Sequence, residues 1–264
     1  MNRIDELFAR KKKDVLAVYY TAGFPRLKDT LPVLQALQDS GADLVEIGMP
    51  FSDPLADGPV IQESSKQALD NGMSIRLLFE QLKRVREKIA VPLVLMGYFN
   101  PVLQFGIEAF LAKCATCGID GVILPDLPAE VYEREYHLLF EKYKVHPVFL
   151  VTPSTPEARI RYLAALSNGF LYLVSSASTT GNGKSFTQEQ CGALKQIQGM
   201  DLPLPVLTGF GIHDAETRKA ATEFSNGAVV GTAFIRELKA HPPATAAERL
   251  MNRLKETSYD HSVV

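Results

Sequence analysis

Cysteine is scarce in this chain, with 3 among 264 residues. An odd and small number of cysteines excludes a disulfide framework and is typical of a reducing compartment, so we expect a cytoplasmic protein. No uncharged apolar run reaches the roughly 18 residues that a membrane span needs, and we expect none. Acidic residues near the N-terminus and the lack of an apolar core there argue against a secretory signal.

Positive charge is also missing. The net charge is −2 and the sequence pI is about 6.2, which argues against nucleic acid as a partner because phosphate backbones are bound by clustered Lys and Arg. The one basic run, 11–13, is interpreted as a solvated connection before the first strand. With 46% hydrophobic and 22% charged residues, the composition is that of a globular protein with a sizeable core.

No linker rich in Pro, Gly or Ser divides the chain, so we expect a single domain over residues 1–264. Short apolar runs recur about every 25 to 30 residues, the length of one βα unit, and each precedes a helical pattern. The predicted strands are 15–21, 44–48, 92–97, 121–124, 147–151, 170–175, 205–208 and 228–231. Their continuous apolar character indicates parallel strands covered on both faces.

A glycine-rich dinucleotide-binding turn is absent after the first strand, where Thr21-Ala22-Gly23-Phe24-Pro25 stands instead. This disfavours an open doubly wound sheet. We therefore predict an α/β fold, a (β/α)8 TIM barrel with a short N-terminal helix. Enlarged loops follow the second and sixth predicted strands, over 49–59 and 176–187, and loops at the carboxyl ends of barrel strands build active sites.

Two acidic residues are candidates for catalysis. Glu46 lies inside the apolar second strand, where an unpaired carboxylate is costly. It is either paired with a cation at the barrel rim or a general acid/base whose pKa is raised by its apolar surroundings. Asp53 and Asp57 lie on the proline-stiffened loop 49–59, and for each an Asx turn or a helix N-terminal acid is the alternative.

Glycines cluster after three consecutive strands, at Gly181, Gly211 and Gly231. A phosphate requires converging backbone N–H groups with little side chain in the way, and barrels often provide them after the seventh and eighth strands. Thr232 opens the last helical pattern and could cap it while contacting the same anion. We predict a phosphate site here.

Other patterns are discounted. Residues 181–185 read GNGKS but lack the first glycine of a P-loop. Cys114 and Cys117 have metal-like spacing, yet no second ligand pair follows, so we expect packed thiols and no metal site. His213 remains open between a first-turn helix residue and a residue at the barrel mouth.

The segment 49–62, MPFSDPLADGPVIQ, together with Glu46, resembles the defining motif of the tryptophan synthase α subunit family. Segments 96–101 (MGYFNP), 125–128 (PDLP), 152–156 (TPSTP) and 209–212 (GFGI) extend the resemblance over residues 2 to 255. It implies a lyase of tryptophan biosynthesis that cleaves indole-3-glycerol phosphate by a retro-aldol reaction. By position, Glu46 matches the acid/base carboxylate and Asp57 the carboxylate that stabilises positive charge at the indole nitrogen.

The resemblance also implies the remaining contacts. The phosphate is expected on Gly181, Gly211, Gly231 and Thr232, and Thr180 is the expected partner of Asp57 when the loop closes. The expected indole pocket consists of Tyr19, Met96, Tyr98, Ile123, Val151, Tyr172 and Phe210. One departure is Ser178-Thr179, where many family members have Gly-Val, which bears on loop closure and not on the chemistry.

A partner follows from the resemblance as well. The family pairs this subunit with a β subunit carrying pyridoxal phosphate in an α2β2 heterotetramer, with Asp53 expected at the interface and no cofactor on this chain. Two alternatives stay open: a catalytically weak α subunit that mainly activates its β partner, or another phosphate-binding barrel enzyme, such as indole-glycerol phosphate synthase or a sugar-phosphate isomerase.

Overall fold

Parallel strands close into a barrel in the computed structural model, which describes residues 1–54, 57–174, 188–209 and 211–255, with only the backbone for 188–190. The strands are β1 Val15–Thr21, β2 Leu44–Gly48, β3 Leu93–Met96, β4 Gly121–Ile123, β5 His146–Val148, β6 Leu150–Val151, β7 Leu171–Val174, β8 Val206–Gly209 and β9 Gly227–Val230. All pairs are parallel, and β1 lies between β2 and β9. The predicted TIM barrel is confirmed.

The fifth barrel strand is divided into β5 and β6, which occupy the two ends of the strand order. The break falls at Phe149, whose N–H donates to Ser167 Oγ at 3.2 Å instead of to a neighbouring strand. The Phe149 carbonyl still accepts from Tyr172 N at 3.0 Å. The barrel therefore has eight strand positions, as the sequence predicts.

Helices surround the strands. They are α1 Arg3–Arg10, α2 Thr30–Asp39, α3 Pro59–Asp70, α4 Ile75–Leu82, α5 Phe99–Phe105, α6 Ile107–Cys117, α7 Ala129–Val131, α8 His137–Tyr143, α9 Glu157–Leu166, α10 Gln188–Gly199, α11 Ala215–Glu223, α12 Thr232–Ala240 and α13 Pro243–Arg253. A π-helical turn, Tyr132–Tyr136, joins α7 to α8, and 3-10 turns lie at Leu27–Asp29 and Val85–Glu87. Within the described ranges, no helix has the length and apolarity to cross a bilayer.

Helix ends follow from local side-chain chemistry. Asn2 caps α1 by accepting from Ile4 N, and Asp214 caps α11 in a reciprocal capping box with Thr217. Gly118 ends α6 with φ of +70°, a conformation that glycine adopts without steric cost. Cys114 and Cys117 on that helix are free and buried, as predicted for packed thiols.

Two apolar layers explain why the strands are apolar along their whole length. Alternate residues such as Val15, Ala17 and Leu44 fill the barrel interior. Their neighbours Leu16, Val18 and Val45 pack outward against the helices. A parallel strand buried on both faces has no polar face to expose.

Helix α1 covers the amino-terminal end of the barrel. Ile4 is fully buried there, close to Gly121 and Gly169. Arg3 Nη1 lies 3.1 Å from Asp120 Oδ1, and the same carboxylate pairs with Arg86 and accepts from Leu93 N at 2.9 Å. This end is therefore closed by apolar packing and a buried ion cluster, which leaves the carboxyl ends of the strands for a site.

Candidate active site

Glu46 is the one acidic side chain on β2, and it points into the barrel. Its register partners are Tyr19 on β1 and Val94 on β3. The residue is fully buried, and neither carboxylate oxygen has a hydrogen-bond partner among the described residues. Burial raises the pKa of Glu46 to about 8. The rim-cation alternative would require a paired carboxylate, and no ion pair to Glu46 is present in the described part of the chain.

Asp57 lies on the loop after β2, just before α3. Its Oδ2 is 3.5 Å from the hydroxyl of Tyr98, which follows β3. Burial raises the pKa of Asp57 to about 6, while the hydrogen bond from Tyr98 opposes that rise. The Asp57 backbone is fixed too, because its carbonyl accepts from Gln62 Nε2 at 2.9 Å. The loop thus holds this carboxylate beside the ring of Tyr98.

The two carboxyl groups differ in protonation near neutral pH. With a pKa of about 8, Glu46 holds its proton, whereas Asp57, with a pKa of about 6, is mostly ionised. A pair of carboxyl groups whose environments separate their pKa values is the arrangement that acid/base enzymes use. The site can therefore donate a proton from one group and hold an anion at the other.

Two tyrosines face the same end of the barrel as these carboxyl groups. Charges on Glu46 and Asp57 contribute to the raised pKa values of both Tyr19 and Tyr172, in which burial is the larger cause. A Cβ built on Gly48 would lie 2.1 Å from the Tyr19 hydroxyl, and one on Gly209 would lie 2.6 Å from the Tyr172 hydroxyl. Glycine at 48 and 209 therefore makes room for the two phenol groups, a role that the sequence analysis missed.

The predicted anion-binding residues lie only partly within the described ranges. Gly231 is the N-cap of α12 and Thr232 its first residue, so unpaired N–H groups of this helix face the carboxyl end of β9. Gly211 follows β8 with φ of +59°, which suits glycine. Gly181, Thr180 and Phe210 lie outside the described residues, as do 178 and 179 and most of the loop 176–187.

Of the predicted indole-pocket residues, three line the barrel interior. Met96, Ile123 and Tyr172 belong to the interior cluster. Val151 does not join them, because it packs outward in the layer between strands and helices, and its neighbour Leu150 faces the interior instead. The alternation along a strand carried this signal, since Val148 points inward and the residue two positions later must share its face.

Two further predicted residues lie at the edge of the site. Asp53 is exposed on the loop after β2, where its carboxylate accepts from Ser52 Oγ. His213 stands just before α11, and its Nδ1 lies 2.7 Å from the carbonyl oxygen of Gly211. This contact places the ring beside the glycine turn and not inside the barrel.

The barrel with a buried acid, a second carboxylate and a helix N-terminus at one end defines the class: a βα-barrel enzyme of acid/base chemistry. The family model for "Tryptophan synthase alpha chain" matches residues 6–262. The alpha chain of Flavobacterium psychrophilum is 52% identical over 238 residues, which are 90% of this chain and 94% of that one. The alpha chain of Parabacteroides distasonis is 46% identical, with 97% and 100% covered.

Solved structures agree. The alpha subunit from Legionella pneumophila str. Paris superposes with a TM-score of 0.86 at 33% identity, covering 96% of this chain and 97% of that one. The chain belongs to the tryptophan synthase alpha chain family. Its expected activity, the family's lyase reaction on indole-3-glycerol phosphate, is confirmed at that level, and in this family the pyridoxal phosphate belongs to the β subunit.

Proposed function

We propose that Glu46 and Asp57 carry out the retro-aldol cleavage of indole-3-glycerol phosphate to indole and D-glyceraldehyde 3-phosphate. The observation that carries this proposal is the buried, unpaired Glu46 carboxyl group with a pKa of about 8, at the same barrel end as the more acidic Asp57. A buried acid without a partner lowers stability and is retained where it has chemistry to perform.

In the first step, Glu46 donates its proton to the indole ring carbon that bears the glycerol chain. The ring becomes an indolenine cation with positive charge at the ring nitrogen. The Asp57 carboxylate beside that N–H stabilises the cation electrostatically, and such stabilisation is strong in a site with little water. Asp57 needs no proton transfer for this role, which suits its lower pKa.

In the second step, the Glu46 carboxylate accepts the proton of the chain hydroxyl next to the ring. The carbon–carbon bond breaks, its electron pair restores the aromatic indole ring, and the hydroxyl-bearing carbon becomes the aldehyde of glyceraldehyde 3-phosphate. Glu46 regains the proton that it gave, so one carboxyl group serves as acid and then as base. A pKa of about 8 allows both roles near neutral pH.

Substrate binding uses the two other parts of the site. We assign the phosphate to the N-terminus of α12 at Gly231 and Thr232, with Gly211 and Gly181 as the further contacts expected from the sequence. We assign the indole ring to the interior lined by Met96, Ile123 and Tyr172, to which Leu150 contributes in place of Val151. Tyr98 and Phe210 complete that assignment.

The test is indole release from indole-3-glycerol phosphate by the purified chain. Glu46→Gln keeps the side-chain volume and removes the acid, so we expect cleavage to fall by about 10² to 10⁴-fold. Asp57→Asn should lose most of its activity with little change in KM. Near-normal cleavage by Glu46→Gln would refute the acid/base role, and a loss confined to KM would make Asp57 a binding residue.

Glu63→Gln is the matched control, because Glu63 is an exposed carboxylate of α3 whose partner is Lys239 Nζ at 2.6 Å. We expect it to cleave like the wild type. The same assay separates the alternatives. A weak α subunit would release little indole until a β subunit is added, and another phosphate-binding barrel enzyme would release none in either case.

We further propose that the chain works in an α2β2 heterotetramer with a tryptophan synthase β subunit. Support comes from the tryptophan synthase complex of Pyrococcus furiosus, whose matched chain superposes with a TM-score of 0.83 at 33% identity over 92% of this chain and 98% of that one. Exposed Asp53 is the proposed interface residue. Asp53→Asn should leave the activity of the isolated chain intact and weaken its activation by added β subunit.

One domain over residues 1–264 also remains a proposal, supported by the barrel and its helices, which use the described chain from α1 to α13. A cytoplasmic location is proposed as well. It is supported by the three cysteines, Cys114, Cys117 and Cys191, all of which are free thiols.

A further inference from the structure

The side chain of Tyr19 extends between the proposed phosphate site and the proposed acid/base. Tyr19 is the register partner of Glu46, so both side chains point into the barrel from adjacent strands. The Cβ, Cγ and Cδ1 atoms of Tyr19 lie 3.5 to 3.8 Å from the position of a Cβ on Gly231, and the hydroxyl lies over Gly48 at the other side. The phenol therefore spans the floor of the site from the α12 N-terminus to the end of β2.

The Tyr19 hydroxyl belongs to a chain of buried hydroxyl groups. It lies 3.3 Å from Thr21 Oγ1, which lies 2.7 Å from Ser64 Oγ, and Ser64 Oγ donates to the Ile61 carbonyl at 2.8 Å. Each hydroxyl has one proton to donate. Because the carbonyl can only accept, Ser64 uses its proton there, Thr21 donates to Ser64, and Tyr19 donates to Thr21.

This order leaves the Tyr19 oxygen as an acceptor. Its proton is committed to Thr21, and a phenol oxygen retains lone pairs that can accept a hydrogen bond. Charges on Asp57 and Glu46 both contribute to the raised pKa of Tyr19, so the oxygen lies near the groups that act on the substrate. An acceptor at this point selects a ligand that brings an O–H group.

We propose that Tyr19 is a specificity-determining residue whose hydroxyl oxygen accepts a hydrogen bond from a hydroxyl group of the substrate's three-carbon chain. The inference rests on the proposed function, since it needs the phosphate at Gly231 and the reacting carbon at Glu46. A substrate held at both points places its connecting chain, and not its indole ring, over Tyr19. This differs from the sequence-based expectation that Tyr19 belongs to the apolar indole pocket.

The test compares two ligands in the inactive Glu46→Gln background, where binding can be measured without turnover. One ligand is indole-3-glycerol phosphate, and the other is an indole-3-alkyl phosphate of equal length without the chain hydroxyls. Tyr19→Phe keeps the ring and removes only the oxygen. By calorimetry, we expect the Kd of the hydroxylated ligand to rise about fivefold, the scale of one neutral hydrogen bond, and the Kd of the other to stay within about twofold.

Tyr20→Phe is the matched control. It removes a buried phenol oxygen from the next residue of β1, but that hydroxyl donates to the Thr30 carbonyl at 2.9 Å in the outer layer. We expect it to lower the melting temperature and to change neither Kd. With Glu46 intact, Tyr19→Phe should lower kcat/KM by about the same factor as it raises the Kd.

An equal loss for both ligands would overturn the proposal, because the hydroxyl would then act on the shape of the pocket. Unchanged binding of both ligands would overturn it as well. Failure of the proposed function has a different signature, which is indole release by the Glu46→Gln variant itself, whatever the two dissociation constants do.

Discussion

The hydroxyl of Tyr98 lies 3.5 Å from Oδ2 of Asp57 and joins the loop after β3 to the loop after β2. Two opposing effects meet at this carboxyl group: burial raises its pKa to about 6, and the hydrogen bond from Tyr98 lowers it. Tyr98 therefore does more than line a pocket, since it helps to keep Asp57 ionised at the pH where the reaction runs.

Tyr98→Phe should shift the acid limb of the pH–rate profile. Asp57 must be ionised to stabilise the indolenine cation, so kcat/KM of the wild type should fall as the pH drops through about 6. Without the Tyr98 hydroxyl the pKa of Asp57 rises further, and the limb moves to higher pH. Tyr143→Phe, which removes a hydroxyl that donates to exposed Glu108 at 3.1 Å, should leave the profile unchanged. An acid limb at the wild-type position in Tyr98→Phe would contradict this role.

Much of this site could be predicted from the sequence, because its main signals are local. Glu46 inside an apolar strand and two aspartates on a proline-stiffened loop identify the carboxyl groups. The bounds of β1 and β2 match the predicted 15–21 and 44–48, since a basic run precedes one and glycines flank the other. Residue types and their order suffice for such features.

Other features depend on contacts that no local pattern records. The fifth strand breaks at Phe149 because Ser167, 18 residues later, takes its N–H. Gly48 is required by the hydroxyl of Tyr19, which reaches it from the neighbouring strand. The commitment of the Tyr19 proton depends on Ser64 in α3, which meets β1 only in the folded barrel. Long-range partners of this kind decide which of two candidate roles a residue takes.

Glu46→Gln should also change the dependence of stability on pH. The pKa of Glu46 is about 8 in the folded protein against an ordinary value of 4.5, so between these values the folded state binds more protons than the unfolded state. Wild-type stability therefore falls as the pH rises through this window, by up to about 1.4 kcal/mol per pH unit. The amide that replaces the carboxyl group in Glu46→Gln cannot ionise, so melting temperatures should favour the variant increasingly from about pH 5 to about pH 8. A constant difference would contradict an unpaired, buried Glu46, and Glu63→Gln should follow the wild type.

Glycerol phosphate should protect the protein against heat. A ligand that binds only the folded state at about 100 times its Kd adds roughly 2.7 kcal/mol, which amounts to several degrees for a chain of this size. Gly231→Asp should abolish the shift, because it puts a negative charge at the α12 N-terminus. A Cβ there meets Tyr19 atoms only at ordinary contact distances of 3.5 Å or more, so the barrel should still fold. Gly192→Asp on exposed α10 is the control and should keep the shift. Equal protection of both variants would place the anion elsewhere.

Asp120→Ala should damage stability without damaging the chemistry, because Asp120 closes the barrel end opposite the site. Its buried carboxylate pairs with Arg3 and Arg86 and accepts from Leu93 N. Burial already lowers the pKa of Arg86 to about 10, so losing its anion leaves a largely buried cation without its carboxylate, at a cost of roughly 3–5 kcal/mol. Thermal unfolding should show a drop of about 10 °C, while kcat/KM for indole release at about 25 °C stays near the wild-type value. Glu108→Ala, which breaks an exposed pair with Lys142, should barely move the melting temperature. If Asp120→Ala instead lost activity while keeping its melting temperature, the two barrel ends would be coupled, and the division between a closing end and a catalytic end would be wrong.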